Sequence, residues 1–519
     1  MNQMQTKFGK KNLGLITTPY KTADYIISKL GKIDKNQLIL DPCVGPGIFV
    51  KRLLKNGINK EQIHAFDITS KYKNELNALG IHFVQKDTLL SINKKDLNKY
   101  DFIVGNPPYL NKSSSYVREN RKDLRKIYGK INSHETYSMF IVNSVWRLKE
   151  GGKLAFITSD SFLTLRTHQR LRSFILKSCL INEILLAPQD LFSSQNVSTS
   201  PVIIVLTKFS KKNQKKKRLN NTIRVIERVN NEDEYENPNK VIKIAQKNYQ
   251  VLPFNIFYID IEPQIITLFR KAPKLVKYMR GYIGMHTHNN KKYIAAIDGT
   301  FLAKIFEKKR NKMEEPKEKY KIIARESLKQ DFWKPYLKRG GAEQYYRSVM
   351  EALDWRENAK EVYDIPENVP FETEGIVISG VSSRLAARYM PKGCYWDSNK
   401  AIGCVILNDS ISIDYALGLL NSSLYNYLAK GIINNTNSIQ LSGIHVLPFI
   451  MPDSETENLV RKYVNIIIEQ LKKDKSYNYE NEQRIIDNLI FSFYKREFDL
   501  PESLKEKLDN NYSIYRKKV

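Results

Sequence analysis

The chain has 519 residues and carries 84 Lys and Arg against 55 Asp and Glu, a formal excess of +29. With 42% hydrophobic and 11% aromatic residues it has enough apolar material for large cores, which excludes wholesale disorder and suggests two to four domains. The four cysteines (Cys43, Cys179, Cys394, Cys404) form no C-x-x-C pair, excluding a disulfide framework or zinc ribbon. Met1 to Lys11 is polar and basic, and nowhere do about eighteen apolar residues run together, so secretion and membrane spanning are disfavoured and a cytoplasmic protein is expected. The positive excess is the footprint of a chain that docks on polyphosphate.

Residues 13 to 207 alternate strand and helix. Short β-rich runs fall at Gln37–Leu40, Gln62–Phe66, His82–Val84, Phe102–Val104, Lys153–Thr158, Asn182–Leu186 and Val202–Thr207, with helical patterns such as Thr22–Leu30 and Tyr137–Leu148 between them. This is the grammar of a doubly wound, Rossmann-like α/β sheet. Lys208 to Arg218 is Lys-dominated and reads as a mobile solvated loop, and a boundary is expected near residue 245. Residues 246–452 form a mixed α+β region with strands such as Gly375–Ser379 and Gly403–Leu407, and 453–519 a helical tail with helices over Glu455–Leu471 and Glu480–Phe498.

The first strand ends in Asp41-Pro-Cys-Val-Gly-Pro-Gly47 and passes into an apolar helix from Ile48. Gly45 and Gly47 at such a turn let the backbone approach a cofactor with no Cβ in the way. Val50 stands where G-x-G-x-x-G needs its third glycine, so a nucleoside without a pyrophosphate fits better than NAD. Asp67, twenty residues after Gly47, closes the second strand where a carboxylate accepts from ribose hydroxyls, and Asp87, twenty further on, closes the third where it accepts from an exocyclic adenine amine. The fourth strand runs into Asn106-Pro-Pro-Tyr109. Two prolines stiffen this turn so that the Asn106 amide oxygen and the Pro107 carbonyl converge on one amine, whose lone pair is then aimed at an incoming methyl group, while Tyr109 stacks on the base.

These motifs, in this order, resemble the γ-class N6-adenine DNA methyltransferases of type II restriction–modification systems. The resemblance implies S-adenosylmethionine as cofactor, with Asp41, Gly45, Gly47, Asp67 and Asp87 in its site and Thr18 and Pro19, in Thr17-Thr-Pro-Tyr20, closing over it. It also implies that Phe192, in Asp190-Leu-Phe192 before Val197-Ser-Thr-Ser-Pro-Val202, faces Tyr109 across a flipped adenine. Two departures from the family pattern are Cys43-Val44 for Ala-Cys and Thr88 for an aromatic after the third acid. Lys334-Pro-Tyr-Leu-Lys-Arg339, Gly375 to Arg388 and Ser438 to Pro448 resemble the family's target-recognition domain, which makes Lys338, Arg339, Arg384 and Arg388 candidates for DNA contact. Duplex DNA is the implied partner, with a separately encoded endonuclease of the same specificity; no nuclease half is expected in this chain, and a monomer is expected. The rival activities are methylation of a protein glutamine amide or of RNA. The glutamine enzymes carry their extra domain before the catalytic sheet, whereas here about 270 residues follow it. His286-Thr-His288 has no third ligand nearby in sequence, so it reads as a polar turn or a DNA contact and no metal is expected.

Overall fold

The computed structural model describes residues 16–195, 199–311, 320–330, 332–398, 400–434 and 436–513; Met1 to Lys11, and Val197 and Ser198 of the segment after Phe192, lie outside them. The chain divides into two compact units, Met1–Ile261 and Glu262–Val519.

The first unit is built on a nine-stranded sheet. Its strands are β1 (Ile39–Asp41), β2 (Ile63–Asp67), β3 (His82–Gln85), β4 (Tyr100–Gly105), β5 (Leu148–Ser159), β6 (Cys179–Leu186), β7 (Pro201–Lys208), β8 (Thr222–Ile226) and β9 (Val241–Ala245), in the order 3-2-1-4-5-7-6-8-9. Strands β3, β2, β1, β4 and β5 run parallel, and β7 lies antiparallel between β5 and β6. Alternate residues of the parallel strands enter two separate cores. Leu40, Phe66, Ile103 and Leu154 pack on one face with α4 (Thr136–Arg147) and α5 (Gln169–Ser178). Ile39, Ala65, Val104 and Ala155 pack on the other with α1 (Tyr20–Ser28) and α2 (Ile48–Lys55). A sheet covered on both faces is the parallel α/β solution that the strand–helix alternation predicts. The strand order reverses between β1 and β4, so their carboxyl ends open a crevice there.

One expectation for this unit needs correction. Lys208 to Arg218 is not a loose loop: a 3₁₀ turn (Lys212–Gln214) and a short helix (Lys215–Leu219) bury Arg218, whose guanidinium donates to the carbonyls of Phe209 and Lys211, the latter at 3.0 Å. The sheet also extends past β7 into β8 and β9, and Tyr249 and Phe257, stacked at 4.7 Å, complete its core beyond residue 245.

The second unit holds a four-stranded and a five-stranded sheet. The first has the order β10 (Met279–Ile283), β18 (Ala401–Ile406), β15 (Gly375–Ser379), β16 (Ala387–Met390). The second has β12 (Ile322–Ile323), β11 (Ile294–Ile297), β14 (Glu351–Asp354), β13 (Trp333–Leu337), β17 (Tyr395–Trp396). Helices α6 (Ile413–Asn421), α7 (Ser454–Lys473) and α8 (Glu480–Phe498) pack closely enough that a Cβ on Gly418 of α6 would lie 2.5 Å from Val460 of α7. A further helix, α9 (Glu502–Asn511), buries Leu504 and Leu508; two apolar residues one turn apart were too weak a signal to announce it. Among the described residues no helix is long and apolar enough to cross a membrane.

Candidate active site

The β1/β4 crevice holds a cavity of about 850 Å³ lined by Thr18, Asp41, Gly45, Asp67, Asp87 and Asn106, six residues drawn from five separate stretches of sequence. The loop between β1 and α2 is fixed by backbone bonds from Val44 N to Phe66 O and from Gly47 N to Val44 O, both 2.9 Å. Gly47 caps α2 at φ +81°, and a Cβ there would sit 2.9 Å from Leu76 Cδ2 in α3 (Lys73–Ala78). Glycine is required at this position on both grounds. Pro19, Gly47 and Pro107 do not line the cavity: Pro19 caps α1, and Gly47 and Pro107 shape the turns that carry the lining residues.

Each acid is held by local donors. Asp67 accepts from Gly45 N at 2.8 Å through Oδ2 and from Thr69 N at 2.9 Å through Oδ1. Asp87 Oδ1 accepts from Leu89 N at 2.9 Å and Leu90 N at 3.1 Å, and the Tyr116 hydroxyl donates to its Oδ2 at 3.0 Å. Asp41 is different. It is 1% exposed, its Oδ1 accepts from Cys43 N at 3.1 Å, and its Oδ2 has no partner. Burial pushes its carboxyl up to about 8, so it stands neutral near pH 7, and a cation beside it would favour the ionised form. Thr88 donates to the Pro42 carbonyl at 2.6 Å, tying the third acid's loop to the first in place of the family's aromatic.

At the end of β4, Asn106 donates both amide hydrogens backward, to the Ile16 carbonyl at 3.2 Å and to Thr18 Oγ1 at 3.1 Å. Its Oδ1 is buried and has no partner. An acceptor left bare in a cavity wall, with its own donors committed elsewhere, is prepared for an incoming N–H. The Pro108 carbonyl is occupied by the Thr136 hydroxyl, which also receives Leu110 N at 3.0 Å and fixes the turn. The rings of Tyr109 and Phe192 lie 6.4 Å apart at 61°, so the two aromatics do meet, but edge to face and with Phe192 1% exposed. They do not form a parallel slot. Tyr137 packs edge-on against Tyr109 at 6.2 Å.

Sequence reasoning missed Ile16, Thr136 and Tyr116, which act through a backbone carbonyl or a hydroxyl far along the chain and carry no motif. It also missed Gln195, which exchanges two 2.7 Å bonds with the backbone of Thr17 and so ties the segment after Phe192 to the strap before α1.

The basic candidates of the second unit divide. Arg388 is 2% exposed, donating to Ser379 Oγ at 3.0 Å and to the carbonyls of Glu343 and Arg339 at 3.3 Å, which removes it from the DNA-contacting set: it is a buried brace of the β15/β16 pair. Lys338 pairs with Asp397 at 2.8 Å and Arg339 with Glu351 at 2.9 Å. Arg384 donates to the Ala342 carbonyl at 3.2 Å.

Residues 26–192 match the Eco57I restriction-modification methylase family, and residues 286–449 match the TaqI-like C-terminal specificity domain. The chain is 31% identical over 182 residues to the Type II methyltransferase M.HincII of Haemophilus influenzae, a stretch covering 34% of each protein. It is 27% identical over 183 residues to the Type II methyltransferase M.VspI of Vibrio sp. (strain 343), covering 34% of this chain and 43% of that one. The aligned stretch thus spans well under half the length of these relatives. In fold, the chain is similar to the Type IIL restriction-modification enzyme MmeI (TM-score 0.55, 13% identity, covering 94% of this chain and 74% of that one). It is also similar to DrdV in its DNA complex (TM-score 0.51, 15% identity, covering 88% and 57%). The cavity at Asn106-Pro-Pro-Tyr109 lies within the first matched region, so residues 26–192 carry a domain of the Eco57I restriction-modification methylase type and residues 286–449 one of the TaqI-like specificity type.

Proposed function

We propose that the chain is a site-specific DNA adenine methyltransferase, moving a methyl group from S-adenosylmethionine to N6 of an adenine rotated out of duplex DNA. On this reading it is the modification arm of a restriction–modification system in a bacterial or archaeal cytosol, and 246–452 reads the target sequence. The observation that supports the reading most is Asn106, with both amide hydrogens engaged and its Oδ1 bare in the cavity wall.

When bound, S-adenosylmethionine supplies an electrophilic methyl on a sulfonium centre. The residues present fit it: Asp67 and Asp87 each keep acceptor capacity for ribose hydroxyls and an adenine amine, and the bare, buried Oδ2 of Asp41 suits the cationic amino-acid end. Asn106 Oδ1 and the Pro107 carbonyl then accept the two N–H bonds of the target amine, which orients the nitrogen lone pair and draws it out of conjugation with the ring. An adenine still paired in the duplex cannot place its amine between two rigid acceptors and in line with the methyl donor, so the base is taken out of the stack. Tyr109 and Phe192 part to receive it and offset some of the unstacking cost of a few kcal/mol.

A filter assay with tritiated S-adenosylmethionine on duplex DNA, on RNA and on a release-factor protein tests the assignment. Label retained on duplex DNA alone is the expected result. Label on RNA or on protein, with none on DNA, contradicts it.

A further inference from the structure

The second unit brings together three metal-competent side chains that the sequence keeps apart. His286 and His288 follow β10, and Asp364 lies 76 residues beyond His288, between β14 and β15. His286 and Asp364 are joined by a pair of backbone hydrogen bonds, His286 N to Asp364 O at 3.1 Å and Asp364 N to His286 O at 2.9 Å, which fix the two Cα positions against each other. His288 stands at φ +55°, a left-handed conformation uncommon for a residue with a Cβ. That turn returns its ring to within 4.6 Å of the His286 ring, and its Nε2 to 2.9 Å from Asp364 Oδ2. Thr287 between them is buried and donates to Asn290 Oδ1 at 2.5 Å, which holds the turn.

One ligand atom from each of the three residues lies within 4.8 Å of the other two. Bonds of ~2.0–2.2 Å from a zinc-type ion to imidazole nitrogen and carboxylate oxygen bring such atoms to roughly 3.3 Å apart, within reach of small side-chain rotations. The side chains of His288 and Asp364 are 49% and 73% exposed, which leaves room for solvent to complete four-coordination. A histidine–carboxylate ion pair needs only two of the three groups. It leaves unexplained why a left-handed residue places a second imidazole edge-on beside the first.

We propose that His286, His288 and Asp364 form a binding site for a divalent transition-metal ion of the zinc class, which clips the chain entering the specificity domain to the segment before β15. Two imidazole nitrogens and one carboxylate suit such an ion and disfavour Mg²⁺ and Ca²⁺, which take oxygen ligands. The site is remote in sequence from the Asn106 turn, and its role is structural: the clip closes the stretch from residue 286 to 364 that contains β11 to β14.

The full chain, stripped with a chelator and exchanged into clean buffer, is titrated calorimetrically with ZnCl₂ and, in parallel, with Co²⁺ followed by its ligand-field absorption. The expected result is one equivalent bound with a Co²⁺ spectrum of a nitrogen/oxygen site, a higher melting temperature with Zn²⁺ than with chelator, and affinity weakened at least ~10-fold in His288→Ala and in Asp364→Asn. Both substituted residues are exposed, and far-ultraviolet circular dichroism checks that the variants fold. Binding unchanged in both variants places the ion elsewhere, at another histidine pair such as His64 and His82, and overturns the proposal; so does a wild-type chain that binds neither ion.

Discussion

On the proposed reading, the orientation of the Asn106 amide decides the chemistry. Replacing Asn106 with Ala removes the bare acceptor without touching the three acids, so cofactor affinity stays near wild type while turnover falls by ~10²–10³, the loss typical of a preorganised charge-stabilising group. Equilibrium binding and single-turnover kinetics separate the two. Thr18 holds that amide through its hydroxyl at 3.1 Å, which makes it a positioning residue. Thr18→Val is expected to lower kcat by ~5–10-fold, the worth of about one hydrogen bond, with a smaller change in the KM for cofactor, and Thr18→Ser to restore it. Equal losses in the Val and Ser variants contradict that role. Asp41 adds a pH dependence. Because burial raises its carboxyl to about 8, the group is neutral at lower pH, and its contribution to stability is lost as pH rises through that value. The free protein is therefore expected to melt lower at about pH 9 than at about pH 6, and Asp41→Asn to flatten the difference. A cationic ligand favours the ionised carboxylate, so cofactor binding near neutral pH should release a proton and tighten as pH rises toward 8, seen by calorimetry in buffers of different ionisation enthalpy.

The β1–α2 turn shows how an element carries the site. A Cβ at Gly47 meets both an unfavourable φ of +81° and Leu76 at 2.9 Å, so Gly47→Ala is expected to destabilise the first unit by ~1–3 kcal/mol and to weaken cofactor binding, read by thermal melting with and without ligand. This turn was legible because its requirement is local: a glycine at a left-handed position, an acid at each strand end, a proline-stiffened corner. The seven strands read from the first half all form; six are largely buried with dense apolar runs, and only the edge strand β3 is half-exposed. Strands β8 and β9 were not legible. They follow a Lys-rich stretch, and β9, at the sheet edge, exposes Val241 and Lys243, which erases the apolar run. Arg388 misled for the opposite reason: its charge suggested a surface, while the carbonyls that satisfy it come from Arg339 and Glu343, more than forty residues away.

For the whole molecule, the proposed division of labour is that the methylase unit holds the cofactor and the specificity domain supplies sequence-dependent DNA affinity. A chain ending at Ile261 keeps Tyr249 and Phe257 in the core, whereas a cut at 245 strips them from it, so 261 is the place to test the division. The shortened chain is expected to retain cofactor binding but to lose most of its salt-dependent affinity for duplex DNA and the fluorescence rise of 2-aminopurine at the target position. A shortened chain that binds and flips the probe as well as the full one removes the recognition role from the second half.

The central claim is that the amine presented to Asn106 is adenine N6 in DNA. Mass spectrometry of nucleosides from duplex DNA methylated by the full chain tests it most directly. The account predicts N6-methyldeoxyadenosine as the product, at one sequence context, and none from the Asn106→Ala variant. Methylated cytosine as the product, or undiminished product from the variant, contradicts it.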